Sequence, residues 1–387
     1  MHVITTTDAL AKLTADYAKA PFVTVDTEFM RERTYWPQLC LVQIARSGNA
    51  REDSVIIDPL AEGIDLTPLF ELMSNTSVVK VFHAARQDVE IFHNLSGLIP
   101  APMFDTQVAA MVCGYGDQVG YETLVRSIAK AELDKSSRFT DWAHRPLSEK
   151  QLVYALGDVT YLRDIYQTLS ERLRETGRGH WVAEEMAILT APTTYFTQPA
   201  EAWRRIKARS HSPKHLAVVR ALAHWREVSA QTRDVPRSRI LKDDALLEVA
   251  TARPKSPEEL GKLRLIQREA RRPEIANEII DAVALGEACP PAERPTLPPP
   301  PNRRQGSAAI ADMLRVLLKA RAEKLGVASK LIASSSDLEA LAGEDDPNVS
   351  ALKGWRREVF GDDALRVMAG QLALVARPGG VELIEVG

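Results

Sequence analysis

Three cysteines stand in 387 residues: Cys40, Cys113 and Cys289, odd in number, far apart and without a Cys-x-x-Cys pair. That argues against a disulfide framework and a thiolate zinc centre, and leaves three inert residues, Cys40 in an expected buried strand. No run of about 18 apolar residues occurs, and no basic stretch at the N-terminus leads into an apolar one. Neither a membrane span nor a secretory signal is read, so no membrane partner and a cytoplasmic location are expected. Gly-x-x-x-x-Gly-Lys-Ser/Thr is missing throughout, which excludes a P-loop helicase motor. His211 and His215 have the i, i+4 spacing of a helical chelate. No Glu follows His211 and no third ligand is evident, so that metal site is set aside.

What is present is an ordinary soluble composition, 45% apolar and 26% charged, in a chain long enough for two or three domains. The charge is unevenly spread. Lys and Arg number 18 against 26 Asp and Glu over residues 1–200, 18 against 13 over 201–290, and 13 against 13 over 291–387. The first segment therefore carries −8, the second +5 and the last 0. A polyphosphate chain would be repelled by the first unless cations and local arginines such as Arg31, Arg33, Arg86 and Arg138 offset it. The middle segment can attract backbone phosphate directly, or simply be a solvated basic face.

Five residues in three short segments carry chemistry. Phe22 to Phe29 reads as a strand, and side chains alternate along a strand, so Asp26 and Glu28 point the same way while Val23 and Val25 face a core. Asp88 follows the apolar run Val78 to Phe82 and opens a helix with apolar spacing at Val89 and Phe92. Tyr154 and Asp158 sit at i and i+4 beside the long stripe Leu152, Leu156, Val159, Leu162, Tyr166, Leu169 and Leu173. Each element alone is more often a solvated edge or a surface pair. Together they set four carboxylates at the ends of buried strands, where divalent cations are the usual compensation for like charge. A phenol one helical turn before the last carboxylate can orient a water.

In this order and spacing the segments resemble the Exo I, II and III motifs of the DEDD exonucleases, in particular the tyrosine-containing RNase D branch. The sister subclass carries histidine five residues before the last aspartate, where this chain has Val153. Leu39-Cys-Leu-Val-Gln-Ile44, Phe104-Asp-Thr106 and Thr140-Asp-Trp…Gln151-Leu152 extend the likeness. The resemblance implies an α/β RNase H-like (DnaQ-like) domain with a mixed sheet, with strands near 22–29, 38–46, 54–58, 78–82 and 103–105. It also implies Asp26, Glu28, Asp88 and Asp158 as ligands for two Mg²⁺ or Mn²⁺ ions, roughly 4 Å apart in such sites. Tyr154 is expected to orient the attacking water rather than act as a full base, because a phenol titrates near about pH 10. The substrate implied is RNA, tRNA precursors and other 3′-tailed RNA, trimmed 3′→5′ to nucleoside 5′-monophosphates. Phe29 and His83 are candidate contacts to the terminal nucleotide, and Arg233, Arg237 and Arg239, with Lys214, Arg220 and Lys242, to the RNA body.

Composition divides the chain into an exonuclease domain at 1–195, a helical bundle at 205–288, a Pro-rich spacer at 289–304 and a second helical bundle at 305–378. Both bundles resemble the HRDC module, giving an α/β domain followed by two all-α bundles, expected as a monomer. Two rivals stay open: a 3′→5′ DNA exonuclease, which the five motif residues cannot separate from an RNA enzyme, and a non-catalytic nucleic-acid-binding protein.

Overall fold

The structure, a computed structural model, describes residues 3–48, 53–134, 137, 140–208, 212–297 and 304–386. Arg138 and His211 lie outside the described residues. Contacts divide the chain into two units, one of residues 1–27, 41–191 and 300–387, the other of 28–40 and 192–299.

Six strands form a mixed sheet: β1 (Val3–Ile4), β2 (Phe22–Met30), β3 (Gln38–Arg46), β4 (Ser54–Ile57), β5 (Val79–Phe82) and β6 (Met103–Asp105), in the order β1-β4-β3-β2-β5-β6. β1 runs parallel to β4, and β5 parallel to both β2 and β6, while β3 is antiparallel to β4. β3 reads Gln-Leu-Cys-Leu-Val-Gln-Ile-Ala-Arg and is buried from Leu39 to Ala45, the near-continuous apolar run of a strand covered on both faces. Its Cys40 is buried, and burial pushes the Cys113 thiol up to about 11, so Cys113 is no thiolate at neutral pH. A lysine interrupts the apolar pattern of β5. Lys80 is fully buried, its ammonium donating to the carbonyls of Asn75, Val78 and Ala101, and burial lowers its pKa to about 8.

Helices α1 (Thr7–Tyr17), α2 (Thr67–Ser74), α3 (Arg86–Ser96), α4 (Thr106–Val112), the short α5 (Tyr121–Leu124), α6 (Glu149–Thr176) and α7 (Gly179–Leu189) complete the α/β part. Local chemistry sets the limits of α6. Ser148 and Gln151 form a reciprocal capping box at its start, and Gly177 takes a φ of 68° at its end. Its buried stripe is Ala155, Val159, Leu162, Ile165, Leu169 and Leu173, of which the apolar spacing predicts Val159, Leu162, Leu169 and Leu173, while the expected Leu152, Leu156 and Tyr166 are only half-buried. Polar bonds fix its register on the sheet: the buried Thr24 hydroxyl on β2 donates to the Val159 carbonyl at 2.8 Å, and the Ser54 and Thr160 hydroxyls of β4 and α6 lie 3.1 Å apart.

Residues 304–386 pack within this same unit. Helix α13 is Ser307–Leu325, and the segment after it is tied to the α/β part by the Ala328 amide donating to the Met111 carbonyl at 3.0 Å and by Lys330 on Asp117 at 2.6 Å. Trp355 stacks on Trp181 of α7 with ring centroids 4.5 Å apart and planes 13° from parallel. Arg178 and Arg356 cover the Trp181 and Trp355 rings respectively, and Arg356 pairs with the buried Glu185 at 2.5 Å. The expectation of an all-α segment to residue 378 is corrected here. Leu372–Arg377 and Gly380–Glu385 form an antiparallel hairpin, β7 and β8, because Leu372-Ala-Leu-Val-Ala-Arg is a short β-branched and aliphatic run closed by Pro378-Gly-Gly380.

The second unit is helical, with α8 (Pro213–Thr232), α9 (Arg237–Ile240), α10 (Asp243–Ala252), α11 (Pro257–Gly261) and α12 (Pro273–Glu287). Leu216, Val219, Leu222, Leu246, Val249, Leu260, Ile279 and Val283 fill its core, together with Trp203 and with Tyr35 from the 28–40 segment. α8 and α12 approach so closely that a Cβ on Gly286 would lie 2.5 Å from the Val218 Cα. Of the expected spacer, Pro291–Glu293 form one helical turn, while residues 298–303 lie outside the described residues.

Candidate active site

β2 carries the first two carboxylates. Asp26 and Glu28, two residues apart on one face, meet Asp158 of α6, and carboxylate oxygens of the three lie within 4.8 Å of one another. All three side chains are half-buried. The opposite parity of the same strand holds the fourth acid. Thr27, between Asp26 and Glu28, donates its hydroxyl to Asp88 at 2.5 Å, and Asp88, in the first turn of α3, is only 6% exposed. The structure therefore gathers Asp26, Glu28 and Asp158 as a group, with Asp88 buried beside it against Thr27.

Electrostatics set two of the four acids apart. Burial, then the neighbouring Asp158 charge, holds the Asp26 carboxyl well above the usual carboxylate range. Burial and then Asp26 do the same for Asp88. Hard oxygen donors packed this closely fit hard divalent cations better than any other partner.

Tyr154 sits one turn before Asp158 on α6, its ring 6.0 Å from that of the buried Trp142. The loop bearing Trp142 is fastened by Arg145, whose guanidinium forks onto Asp58 at 2.8 and 2.7 Å. His83 follows β5, with Nδ1 3.0 Å from the Thr106 hydroxyl and its ring 5.5 Å from that of Tyr121. Burial lowers its pKa, opposed by Asp105, so the imidazole is neutral at physiological pH. Phe29 is half-buried on β2.

Sequence reasoning missed Tyr121. Its hydroxyl donates to the Gly157 carbonyl at 2.9 Å, next to Asp158, and burial followed by the charges of Asp158 and Asp26 raises its pKa. No periodic or motif signal singles out a tyrosine in Gly-Tyr-Glu-Thr-Leu, since its role depends on a contact with a residue 36 positions away.

In the helical unit the basic candidates separate. Arg237 lies over the Tyr35 ring at 4.7 Å and pairs with Glu227 and the Tyr35 hydroxyl. Arg233 pairs with Glu278 at 3.1 Å. Arg220 reaches the Cys289 sulfur at 3.3 Å. Lys214, Arg239 and Lys242 are exposed, and His215 is buried in α8. A cavity of about 400 Å³ is lined by Arg205, Arg226, Arg237 and Lys242 with Glu227 and Asp243.

Comparison with known proteins agrees with this geometry. Residues 1–174 match a 3′–5′ exonuclease family and residues 215–283 the HRDC domain. Ribonuclease D of Jannaschia sp. is 58% identical over 385 residues, covering all of both chains. Ribonuclease D of Nitrobacter hamburgensis is 50% identical with the same coverage. The crystal structure of Escherichia coli RNase D, described as an exoribonuclease involved in structured RNA processing, superposes with a TM-score of 0.83 at 30% identity, covering 95% of this chain and 98% of that one.

Fold and carboxylate group define a metal-dependent 3′–5′ exonuclease of the RNase H-like class, followed by a helical HRDC domain. Identity across the full length takes the assignment one step further. The chain belongs to the ribonuclease D family, and is a 3′–5′ exoribonuclease, a hydrolase acting on RNA. Among the described residues no helix is long and apolar enough to cross a membrane.

Proposed function

We propose that Asp26, Glu28, Asp88 and Asp158 hold two divalent cations, Mg²⁺ or Mn²⁺, and that the chain trims 3′ tails from RNA, tRNA precursors included, to nucleoside 5′-monophosphates. The observation that carries this reading is the convergence of three carboxylates within 4.8 Å, with a fourth buried alongside. Bound there, such cations supply the positive charge that activates a water and stabilises the leaving 3′ oxygen. Tyr154 orients that water by hydrogen bond. Tyr121 and Thr24 hold α6 at the level of Asp158, through the carbonyls of Gly157 and Val159. His83, neutral, and Phe29 meet the terminal nucleotide, one by hydrogen bond and the other by stacking.

The RNA body lies on the basic helical unit. Lys214, Arg239 and Lys242 are among its exposed cations, and the cavity lined by Arg205 and Lys242 accommodates backbone phosphate. Arg233 and Arg237, engaged by Glu278 and Glu227, shape this surface. The protein acts as a cytoplasmic monomer.

The test is a trimming assay on 3′-tailed RNA and matched DNA, with Mg²⁺, with Mn²⁺ and with chelator. The expected result is stepwise release of 5′-monophosphates from RNA in the presence of either metal and none with chelator. Equal trimming of DNA, or release of 3′-monophosphates, would overturn it. For the helical unit, Arg239→Glu with Lys242→Glu in a catalytically dead chain should weaken tRNA-like RNA binding and flatten its salt dependence. Unchanged slopes would remove that unit from the RNA path.

A further inference from the structure

We infer that Asp105 and Thr106, at the junction of β6 and α4, form a positioning clamp that sets the turn from which Asp88 is presented. This rests on the reading of Asp88 as a metal ligand. Phe82 is paired with Asp105 across the sheet, and the chain then turns sharply through His83, Ala84 and Ala85 before α3 begins. Those four consecutive residues are gripped by two. The Asp105 carboxylate accepts from the Ala84 amide at 3.0 Å through Oδ1 and from the Ala85 amide at 2.8 Å through Oδ2. The Thr106 hydroxyl donates to the Phe82 carbonyl at 3.0 Å and lies 3.0 Å from His83 Nδ1.

The turn does not hold itself. Ala84 has a φ of +58°, a left-handed conformation that a residue with a Cβ adopts at a cost and keeps only where its surroundings impose it. Ala85, at the N-cap of α3, has no side chain able to cap the helix. Asp105 supplies from another strand what this segment lacks. The same carboxylate caps α4, accepting from the amides of Gln107 at 2.8 Å and Val108 at 3.5 Å. It is 2% exposed, and Thr106 is fully buried, so water cannot replace either. Asp88 lies three residues beyond Ala85, and its contact with Thr27 leaves little slack in where α3 starts. Asp105 makes no hydrogen bond to Asp88 among the described residues; its charge also reaches Asp88 through space, while its hydrogen bonds to the turn are all to backbone amides.

The clamp needs a carboxylate. An asparagine has the same shape but one acceptor oxygen, and its amide would turn a donor toward a backbone donor. Asp105→Asn in the full-length protein is therefore predicted to fold, yet to bind Mn²⁺ about 10- to 100-fold more weakly by calorimetry in the absence of RNA. In trimming assays the metal concentration for half-maximal rate should rise likewise. Thr106→Val, which keeps the carboxylate, should show the same change more weakly and carries the test if Asp105→Asn does not fold. Asp88→Asn is measured alongside. Wild-type Mn²⁺ affinity in a folded Asp105→Asn or Thr106→Val protein, with Asp88→Asn impaired, would overturn the clamp alone. Wild-type behaviour of Asp88→Asn would instead overturn its assignment as a ligand.

Discussion

Of the places in this molecule that bury carboxylates, two solve the problem in opposite ways. In the helical unit Glu227 has a side chain only 1% exposed, yet its pKa is lowered: burial works to raise it, but hydrogen bonds from Arg237 and Tyr35 prevail. In the α/β unit, burial raises Asp26 and Asp88, and their neighbours add negative charge rather than cancel it. A buried acid with a resident arginine is a structural joint. Buried acids without enough positive charge of their own form a site that waits for a charge from outside, and the comparison separates a place that holds the protein together from one that holds a ligand.

The sharpest way to break this contrast is to neutralise one acid on each side. Asp26→Asn or Asp158→Asn keeps the shape and removes a charged ligand, so RNA trimming should fall by about 10³-fold or more, measured by release of 5′-monophosphates. The metal-free protein should melt no lower than wild type, because repulsion has been relieved. Wild-type turnover in folded Asp26→Asn protein would remove the assigned site.

A smaller effect is expected at the phenol. Tyr154→Phe should lower kcat by about 10²-fold while Mn²⁺ affinity, measured by calorimetry, is largely kept. A loss of metal binding equal to that of Asp158→Asn would contradict the division of labour between the two residues.

In the helical unit the expectation runs the other way. Arg237→Met strands Glu227 and should destabilise by about 2 kcal/mol in chemical denaturation, part of which a second change, Glu227→Gln, should restore. Two additive losses would show that the pair is not a coupled joint.

The smallest effect is in pH. Raised Asp26 and Asp88 contribute stability that is full below the ordinary carboxylate range and is lost as pH rises through their elevated values. Glu227, lowered, contributes stability present above that range and lost as pH falls through its depressed value. Melting of the metal-free protein between about pH 2 and 8 should therefore show Asp26→Asn gaining on wild type as pH rises, and Glu227→Gln losing its disadvantage as pH falls. Parallel curves would mean that neither group is perturbed as described.

Local chemistry was legible from the sequence, and distant pairing was not. Period-two alternation set Asp26 and Glu28 on one face, the i, i+4 spacing set Tyr154 over Asp158, and the five expected strands lie within a residue or two of their read positions. The two-residue β1 is too short to leave a pattern. Asp88 was readable as the opening of a helix, but its separation from the group by Thr27 was not, since a threonine between two acids reads only as strand filler. Phe104-Asp-Thr106 was noticed without a role, because its partners lie some twenty residues upstream. The packing of residues 304–386 within the first unit rests on Trp181 against Trp355, a pair with no local signature. Cutting the chain near Pro199 would uncover Trp181 and Glu185, so point changes test the helical unit more cleanly than a truncation.

The aromatic stack has a further consequence in time. A ribosome delivers Trp181 long before Trp355, and between them emerge helices α8 to α12. The unit bearing Asp26, Asp88 and Asp158 therefore cannot complete its packing until Trp355 has followed α8 to α12 out of the ribosome, so the nuclease finishes folding only after the helical segment between has been made.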